Sequence, residues 1–409
     1  MTRSYDIAVV GAGVFGAWTA YHLQRAGRRI ILLDAYGAAN ARASSGGESR
    51  IIRAGYGPRQ IYTEMAVRSF KLWKEFFERT NRRDLFRRTG VLWLAPENDE
   101  YQRACLATFA ETGVEVERLS RDEMVRRYPP FNEEGIAWAF LEPSAGVLMA
   151  RRAVQAVVEE AVRGGVDYRV AAVEAPLAEA VPRAQPAMPG EALEARDKAS
   201  KATLDRIIAV EATGQTEEIS AGVFVFACGP WLPKLFSHLL GPRIFPTRQE
   251  VFFFGVPPAD NRFAPPAMPA WISLGDGFYG IPDLEGRGFK MACDRHGPPF
   301  DPDSGERIVR PEGLAAVRAY LARRLPALAG ASVVETRVCQ YENTSNGDFL
   351  IDRHPDFANV WLVGGGSGHG FKHGPSVGEY VATRINDGGE VSPVFSLATK
   401  EVVQQRSVF

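Results

Sequence analysis

Short runs of apolar, often β-branched residues alternate with longer segments in which apolar residues recur every three or four positions. The short runs predict buried strands, and the longer segments predict amphipathic helices. Near the N-terminus, residues 7–10 form an apolar run, 17–25 are helical in composition, and 30–33 form a second run. Gly27 is expected to end the helix. The order strand, helix, strand predicts a unit of two buried parallel strands.

The same patterns continue through the rest of the chain. Helices are predicted at 61–79, 99–112, 120–128, 153–164, 311–323 and 376–384. Strands are predicted at 89–94, 136–141, 146–149, 204–211, 223–228, 250–256, 271–274, 278–281, 288–292, 333–341, 349–352 and 360–364. Ser120 and Glu123 have the spacing of a capping box at the start of the fourth helix.

The strands fall into two kinds. The run at 223–228 is continuously apolar and is followed by glycine, which is typical of a central parallel strand. The strands between 250 and 292 are short, aromatic and separated by turns, which favours an antiparallel sheet. Residues 171–202 are rich in Ala, Glu and Pro, and we interpret them as a long, mobile surface excursion. The pattern predicts two domains, each built from discontinuous segments.

A glycine motif joins the first strand to the first helix. Gly11, Gly13 and Gly16 have G-x-G-x-x-G spacing, and Asp34 closes the next strand. In such a motif the first glycine makes the tight turn, the second admits a pyrophosphate close to the backbone, and the third allows helix packing. The helix N-terminus favours phosphate, and the acid accepts hydrogen bonds from an adenosine ribose. The alternative is a packing turn without a ligand, and the motif alone does not separate FAD from NAD.

Composition narrows the function classes. The chain has 409 residues, of which 45% are hydrophobic and 24% charged, and a net charge of -1, so nucleic acid is not an expected partner. Four cysteines without a C-x-x-C pair suggest neither a zinc site nor a disulfide framework. No apolar run approaches the ~18 residues of a membrane span. The first strand begins too early for a signal peptide, and we expect a soluble, cytoplasmic protein without metal.

Several further motifs occur in one order along the chain: SSGGESRIIRAGYG at 44–57, P-x-R-Q at 246–249, RVCQY at 337–341, IDRHP at 351–355 and GSGHGFK at 366–372. Together with the glycine motif, this order resembles the monomeric sarcosine oxidase family of flavoenzymes, over nearly the whole chain except 171–202. The resemblance implies an α/β fold with a Rossmann-like FAD-binding domain, at 1–85, 145–235 and 325–409. It also implies an α+β substrate domain on a mixed or antiparallel sheet, at 86–144 and 236–324.

Cofactor contacts follow from the resemblance. Cys339 matches the cysteine that carries FAD through a thioether to the 8α position, although a lone cysteine is more often a small buried residue. Arg50 matches an arginine near the flavin ring. The residues implied to bind FAD are Gly11, Gly13, Val14, Phe15, Gly16, Asp34, Ser44, Ser45, Arg50, Cys339, Gly366, Gly368, Gly370 and Lys372.

Residues for the reaction are implied in the same way. Lys290 matches a lysine that activates oxygen, whereas a strand lysine is usually solvated. A fixed cation stabilises charge that develops on O₂. Arg53 and Lys372 match a clamp for the substrate carboxylate, and alone each would be read as a surface charge. The catalytic set is Lys290, Arg50, His369 and Tyr279, and the substrate-binding set is Arg53, Lys372, Tyr341 and Asp294.

The chain departs from the family pattern at three places. Ser45 and Gly46 replace a histidine pair near the flavin, Asp294 replaces a pocket histidine, and Glu342 replaces a threonine. Acidic residues at 294 or 342 suit a substrate with an additional cation or several hydroxyl groups.

The sequence thus predicts an FAD-dependent oxidase of a secondary amine that bears a carboxylate. A hydride passes from the carbon beside nitrogen to flavin N5, the imine hydrolyses, and O₂ is reduced to H₂O₂. Its partners would be the amine and O₂, and the protein would be a monomer or small homo-oligomer. Two alternatives stay open: a dehydrogenase that passes electrons to another acceptor, and a flavin-binding subunit without turnover.

Overall fold

The computed structural model describes residues 4–176 and 201–405, so most of the predicted excursion lies outside the described residues. The helices are α1 (Val14–Arg25), α2 (Gln60–Arg79), α3 (Glu100–Thr112), α4 (Arg121–Arg127), α5 (Ala150–Arg163), α6 (Leu232–Leu235), α7 (Ser237–Leu240), α8 (Pro311–Arg324) and α9 (Gly374–Asp387). The strands are β1 (Tyr5–Val10), β2 (Ile30–Asp34), β3 (Arg50–Ile52), β4 (Phe86–Arg87), β5 (Val91–Ala95), β6 (Glu117–Ser120), β7 (Trp138–Glu142), β8 (Gly146–Leu148), β9 (Asp167–Val170), β10 (Ala172–Val173), β11 (Arg206–Val210), β12 (Thr216–Phe226), β13 (Ile244–Phe254), β14 (Ala270–Ser273), β15 (Phe278–Ile281), β16 (Phe289–Cys293), β17 (Val333–Thr344), β18 (Leu350–Arg353) and β19 (Val360–Gly364).

The first sheet has a parallel core in the order β19, β12, β1, β2, β9. Strand β18 pairs antiparallel with β19, and β10 and β11 extend the sheet from the N-terminal half of β12. The apolar runs explain this core, because strands covered on both faces need apolar residues at every position. Ala8 and Val9 of β1 and Phe224 to Phe226 of β12 are fully buried. The predicted Rossmann-like α/β layer is confirmed.

Helices α1 and α9 pack on this sheet at glycine contacts. Gly11 turns the chain out of β1 with a φ of 103°, a conformation that favours glycine. A Cβ atom on Gly16 would overlap the carbonyl oxygen of Gly11, so α1 sits close to the turn that precedes it. A Cβ atom on Gly378 of α9 would lie 2.7 Å from the Cβ atom of Trp18. The two helices therefore meet backbone to backbone.

The second sheet has the order β17, β13, β16, β15, β14, β5, β7, β6. Neighbours pair antiparallel except β14 and β5, which are parallel, so the predicted mixed sheet is confirmed. A small third sheet joins β3, β8 and β4. One apolar cluster contains residues of both large sheets, among them Ile7 of β1 and Trp93 of β5. The domain boundaries given above stay a prediction.

Several polar strands were not predicted. β6 and β9 lie at sheet edges, where most positions are exposed or half-buried and the apolar signal is weak. No strand was predicted at β3, and β13 begins six residues before its predicted start. The capping box of Ser120 and Glu123 is confirmed at α4. In the described part of the chain, no helix has the length and apolar character needed to cross a membrane.

We predict that Gly378→Ala lowers stability by about 1–3 kcal/mol, because the new methyl group overpacks the contact between α1 and α9. The shift in the midpoint of urea unfolding measures this effect. Gly275→Ala is the matched control, since a Cβ atom there meets nothing within 4 Å. Equal midpoints for the two variants would show that the helix contact is not tightly packed.

Candidate active site and cofactor cavity

Two adjoining cavities lie at the carboxyl ends of the parallel strands. The larger has a volume of about 410 Å³ and extends from the glycine motif to the start of the glycine-rich loop after β19. The smaller has a volume of about 80 Å³ and is lined partly by the second sheet. Residues that line both are Arg50, Cys339, Tyr341, Gly368 and Phe371. Such a crevice outside the strand ends is where open α/β sheets bind ligands.

The glycine-motif end of the larger cavity is shaped for a bulky group. A Cβ atom on Gly13 would meet only the Ser45 hydroxyl, at 3.5 Å, so this glycine faces open space. Asp34 accepts a hydrogen bond from the Ala12 N–H at 2.7 Å and one from the Tyr36 N–H at 3.0 Å. Burial raises the pKa of Asp34. A dinucleotide fits this end, with phosphate at the open glycine and a ribose near the acid.

Ser45 has a local role that its residue type explains. Its hydroxyl accepts a hydrogen bond from the Val14 N–H at 3.0 Å, which satisfies one of the free donors at the start of α1. Serine at this place, where the resembling family often has histidine, therefore stabilises the helix start.

Most residues predicted to bind the cofactor line the larger cavity. They are Gly11, Gly13, Val14, Phe15, Asp34, Ser44, Ser45, Arg50, Cys339, Gly366, Gly368 and Gly370. Gly16 packs beneath the motif instead, and Lys372 lines the smaller cavity.

Cys339 and Arg50 meet where the cavities join. The Arg50 Nη2 atom lies 3.4 Å from the Cys339 Sγ atom and donates to the Ser44 carbonyl at 2.8 Å. Its Nη1 atom donates to the Ser49 carbonyl at 2.8 Å. The Cys339 thiol is therefore buried beside the guanidinium of Arg50.

The smaller cavity brings together seven of the eight residues predicted for catalysis or substrate binding, from five parts of the chain. They are Arg50, Arg53, Tyr279, Asp294, Tyr341, His369 and Lys372. Lys290 is not among its lining residues. The Lys290 Nζ atom lies 5.9 Å from the centre of the Tyr279 ring and donates to the Ser49 carbonyl at 2.8 Å. Burial, and then the charge of Arg50, hold the pKa of Lys290 well below its usual range.

Arg53 and Lys372 are linked through Tyr56. The Arg53 guanidinium carbon lies 4.6 Å from the centre of the Tyr56 ring, and its Nη1 atom donates to the Gly55 carbonyl. The Lys372 Nζ atom donates to the Tyr56 hydroxyl at 2.8 Å and to the His369 carbonyl at 2.9 Å. Burial, and then the charge of Arg53, hold the pKa of Lys372 well below its usual range. The two side chains therefore lie together in one buried region.

Both ring nitrogens of His369 have protein partners. Nε2 lies 2.9 Å from the Gly347 carbonyl, and Nδ1 lies 3.2 Å from the Tyr56 hydroxyl. Because a carbonyl only accepts, Nε2 carries a proton. The ring also stacks on Phe349 at 4.7 Å between centroids. This histidine is held in place and shapes the cavity wall.

The two acidic departures from the family pattern lie in different cavities. Asp294 lines the smaller one, where it accepts a hydrogen bond from the Tyr341 hydroxyl at 2.7 Å. Burial and then Asp294 raise the pKa of Tyr341 well above its usual range. Glu342 lines the larger cavity, although it follows Tyr341 directly. Asp294 therefore shares a cavity with Arg53 and Lys372, whereas Glu342 does not.

Tyr56 and Glu142 were not predicted from the sequence. Glu142 is 2% exposed and accepts hydrogen bonds from the Ala54 N–H at 2.6 Å and from Trp93 Nε1 at 2.8 Å. It thus holds the backbone after Arg53 and the Trp93 ring, which lies 4.9 Å from the Arg53 guanidinium carbon. An acid at the end of the apolar run WAFLE was the available signal for Glu142.

Metal ligation has no support in 4–176 and 201–405, where no three His, Cys, Asp or Glu side chains cluster to hold an ion. The polar side chains that line the cavities include cations and tyrosines, and also the acids Asp34, Asp294 and Glu342.

Comparison with known proteins agrees with this geometry. Residues 6–384 match the family described as FAD dependent oxidoreductase. The chain is 30% identical to the monomeric sarcosine oxidase of Bacillus sp. (strain B-0618), with 100% of both chains covered. It is 27% identical to the N-methyl-L-tryptophan oxidase of Salmonella arizonae, over 92% of this chain and 94% of that one.

The fold has solved counterparts. The structure of L-proline dehydrogenase from P. horikoshii matches with a TM-score of 0.78 and 20% identity, over 97% of this chain and 98% of that one. The full-length match and the cavity at the glycine motif lead to one assignment. The chain belongs to the FAD-dependent oxidoreductases and, among them, to the monomeric sarcosine oxidase family.

Proposed function

We propose that this protein oxidises a secondary amine that bears a carboxylate, with FAD in the larger cavity and O₂ as final acceptor. The observation that carries the proposal is the pair of buried cations, Arg53 and Lys372, in the small cavity that adjoins the FAD cavity. The substrate class is an N-alkyl amino acid of the sarcosine type.

The clamp is favoured by electrostatics. Arg53 is 6% and Lys372 5% exposed, and the charge of Arg53 already disfavours the protonated form of Lys372. A substrate carboxylate would offset both buried charges and accept charged hydrogen bonds. Arg53 offers a planar fork and Lys372 a single charge.

The remaining residues orient the amine. Bound FAD supplies the hydride acceptor for the C–H bond beside nitrogen, and the imine product hydrolyses in water. Tyr279, Tyr341 and His369 form walls that hold the amine carbon toward the cavity junction. Asp294 offers a carboxylate on the wall that carries Tyr341, which suits a substrate with an additional cationic or hydroxyl group.

Lys290 supports the assignment to an oxidase that forms H₂O₂. Its ammonium donates to the Ser49 carbonyl, which lies beside Arg50, and it is 2% exposed. A buried cation near the cavity junction stabilises negative charge that develops on O₂, and such charge also raises the pKa of the lysine.

Cys339 supports covalent attachment of FAD. Its thiol lies at the cavity junction, where a bound flavin could reach it, and the Arg50 Nη2 atom lies 3.4 Å from its Sγ atom.

A dehydrogenase with another acceptor is the second candidate, because a structural counterpart carries that name. Oxygen consumption during turnover, measured with an electrode, separates the two. A flavin-binding subunit without turnover is the third, and it would show no flavin reduction by amines under anaerobic conditions.

Truncation of the clamp tests the substrate class. We expect Arg53→Ala to weaken binding of a carboxylate substrate by roughly ten- to a hundredfold, since a charged hydrogen bond contributes roughly 1.5–3 kcal/mol. Arg53→Lys should restore binding only in part because the fork is lost. Arg68→Ala, which removes a partly exposed arginine paired with Glu379, is the control. KM is measured in each variant for sarcosine and for the corresponding amine without the carboxylate. If wild type turned over both substrates equally well, Arg53 and Lys372 would not be a carboxylate-binding pair.

Substitution of Lys290 tests the oxygen step. In Lys290→Met, reoxidation of flavin by O₂ should slow on the order of 10²–10³-fold, with a much smaller effect on its reduction by substrate. Stopped-flow absorbance follows the two half-reactions separately, with the exposed Lys71→Met as control. Equal slowing of both half-reactions would assign Lys290 to packing or substrate binding.

Acid precipitation tests the covalent link. The wild-type pellet should stay yellow, whereas Cys339→Ala should release its colour to the supernatant because the thioether cannot form. Cys105→Ala removes another buried cysteine, outside the lining of both cavities, and should keep the colour in the pellet. A colourless wild-type pellet would exclude the link and leave FAD binding intact.

A further inference from the structure

Tyr56 contacts both cations of the proposed carboxylate clamp, although it is not among the residues that line either cavity. Its ring centre lies 4.6 Å from the Arg53 guanidinium carbon, and its hydroxyl accepts a hydrogen bond from the Lys372 Nζ atom at 2.8 Å. The residue is 2% exposed. Because Tyr56 is not part of the cavity wall, any effect that it has on a substrate would pass through these two side chains.

The Tyr56 hydroxyl is held in place by two buried histidines. Its oxygen lies 2.7 Å from the His373 Nε2 atom and 3.2 Å from the His369 Nδ1 atom. A hydroxyl has one donor and two acceptor positions, so Lys372 and the two histidines can occupy all three. Displacement of the oxygen would break buried hydrogen bonds, which costs free energy. The atom that receives Lys372 is therefore fixed.

The backbone on both sides of Tyr56 is also tied to buried groups. Before it, the Glu142 carboxylate accepts a hydrogen bond from the Gly55 N–H at 3.3 Å. After it, the Thr108 hydroxyl donates to the Gly57 carbonyl at 2.8 Å. A group that positions another side chain needs such support, because its own movement would be passed on to that side chain.

Lys372 depends on such a partner because its side chain is flexible and ends in a point charge, whereas the arginine fork is rigid. Its Nζ atom donates to the Tyr56 hydroxyl and, at 2.9 Å, to the His369 carbonyl. A protonated lysine has three donors. Two fixed partners therefore leave the third donor for a substrate carboxylate and set its direction.

We propose that Tyr56 is a positioning residue of the clamp, whose hydroxyl directs the Lys372 ammonium toward the substrate carboxylate. This rests on the proposed function of Arg53 and Lys372. Since the contact acts on binding of the carboxylate, its loss should raise KM for substrates that carry one and change kcat little. Substrates without a carboxylate should not respond to it.

The test uses the holoenzyme with Tyr56→Phe, which keeps the ring beside Arg53 and removes only the hydroxyl. We expect KM for sarcosine to rise roughly tenfold, since a hydrogen bond to a charged group is lost. KM for dimethylamine, which is sarcosine without its carboxylate, should stay unchanged. Butyrate is sarcosine with a methylene group in place of the amine, and its dissociation constant in a calorimetric titration should rise by the same factor as KM for sarcosine.

Tyr62→Phe is the matched control. Tyr62 is also buried, and its ring stacks on that of Tyr56 with 5.3 Å between the centroids. Its hydroxyl donates to Asp348 at 2.8 Å, away from the clamp cations. The control should therefore keep KM for sarcosine near the wild-type value. An equal rise in both variants would assign the effect to loosening of the buried region and overturn the proposal.

A double-mutant cycle identifies the side chain through which Tyr56 acts. In Lys372→Met the partner of the hydroxyl is absent, so adding Tyr56→Phe should leave the dissociation constant of butyrate unchanged. If the two substitutions instead weakened butyrate binding additively, Tyr56 would not act through Lys372, and the proposal would be wrong.

A crystal structure of the wild-type holoenzyme with butyrate needs no variant. The Lys372 Nζ atom should lie within hydrogen-bond distance of both the Tyr56 hydroxyl and the butyrate carboxylate. A lysine that had left the hydroxyl to reach the carboxylate would overturn the positioning role alone. A carboxylate bound away from Arg53 and Lys372, or equal wild-type turnover of sarcosine and dimethylamine, would overturn the clamp itself.

Discussion

Burial of positive charge is the constraint on which the site depends. Arg53, Lys290 and Lys372 are each at most 6% exposed, and removing such charges from water is costly unless they are paired and hydrogen-bonded. Lys290 donates a hydrogen bond to a backbone carbonyl, and Lys372 donates one to the Tyr56 hydroxyl. Buried Glu142 accepts a hydrogen bond from the backbone directly after Arg53. Arg53 and Lys372 line the small cavity, and the proposed substrate carboxylate would add an anionic partner to both of them.

Residues with a strong local signal could be predicted from the sequence. The parallel core followed from apolar runs, and the turn at Gly11 followed from its spacing. Most residues predicted to bind the cofactor line one cavity, because the glycine motif and the loop around Gly368 each reach it as short continuous segments. Edge strands such as β6 were not predicted, because most of their side chains are exposed to water and their composition is as polar as that of a loop.

Contacts between distant segments could not be predicted in this way. Tyr56 meets Lys372 across 316 positions, and Glu142 meets Ala54 across 88. Neither pair has a spacing that periodicity can detect, since only the folded sheets bring them together. The acids at 294 and 342 looked equivalent in the sequence, and strand geometry separates them. Lys290 does not line the smaller cavity but donates to the Ser49 carbonyl, and the residue type alone could not predict this position.

Strand β17 contributes to both cavities, since Cys339 and Tyr341 line both of them and Glu342 lines the larger one. Successive side chains of a strand point to opposite faces, so Cys339 and Tyr341 share one face and Glu342 takes the other. Deletion of one residue from this strand would exchange the two faces for everything beyond it. The register with β13, which extends from Ile244 to Phe254, would shift as well. The number of residues in β17 is therefore constrained along with their identities. Insertions and deletions should be tolerated in the loops on either side of the strand rather than within it.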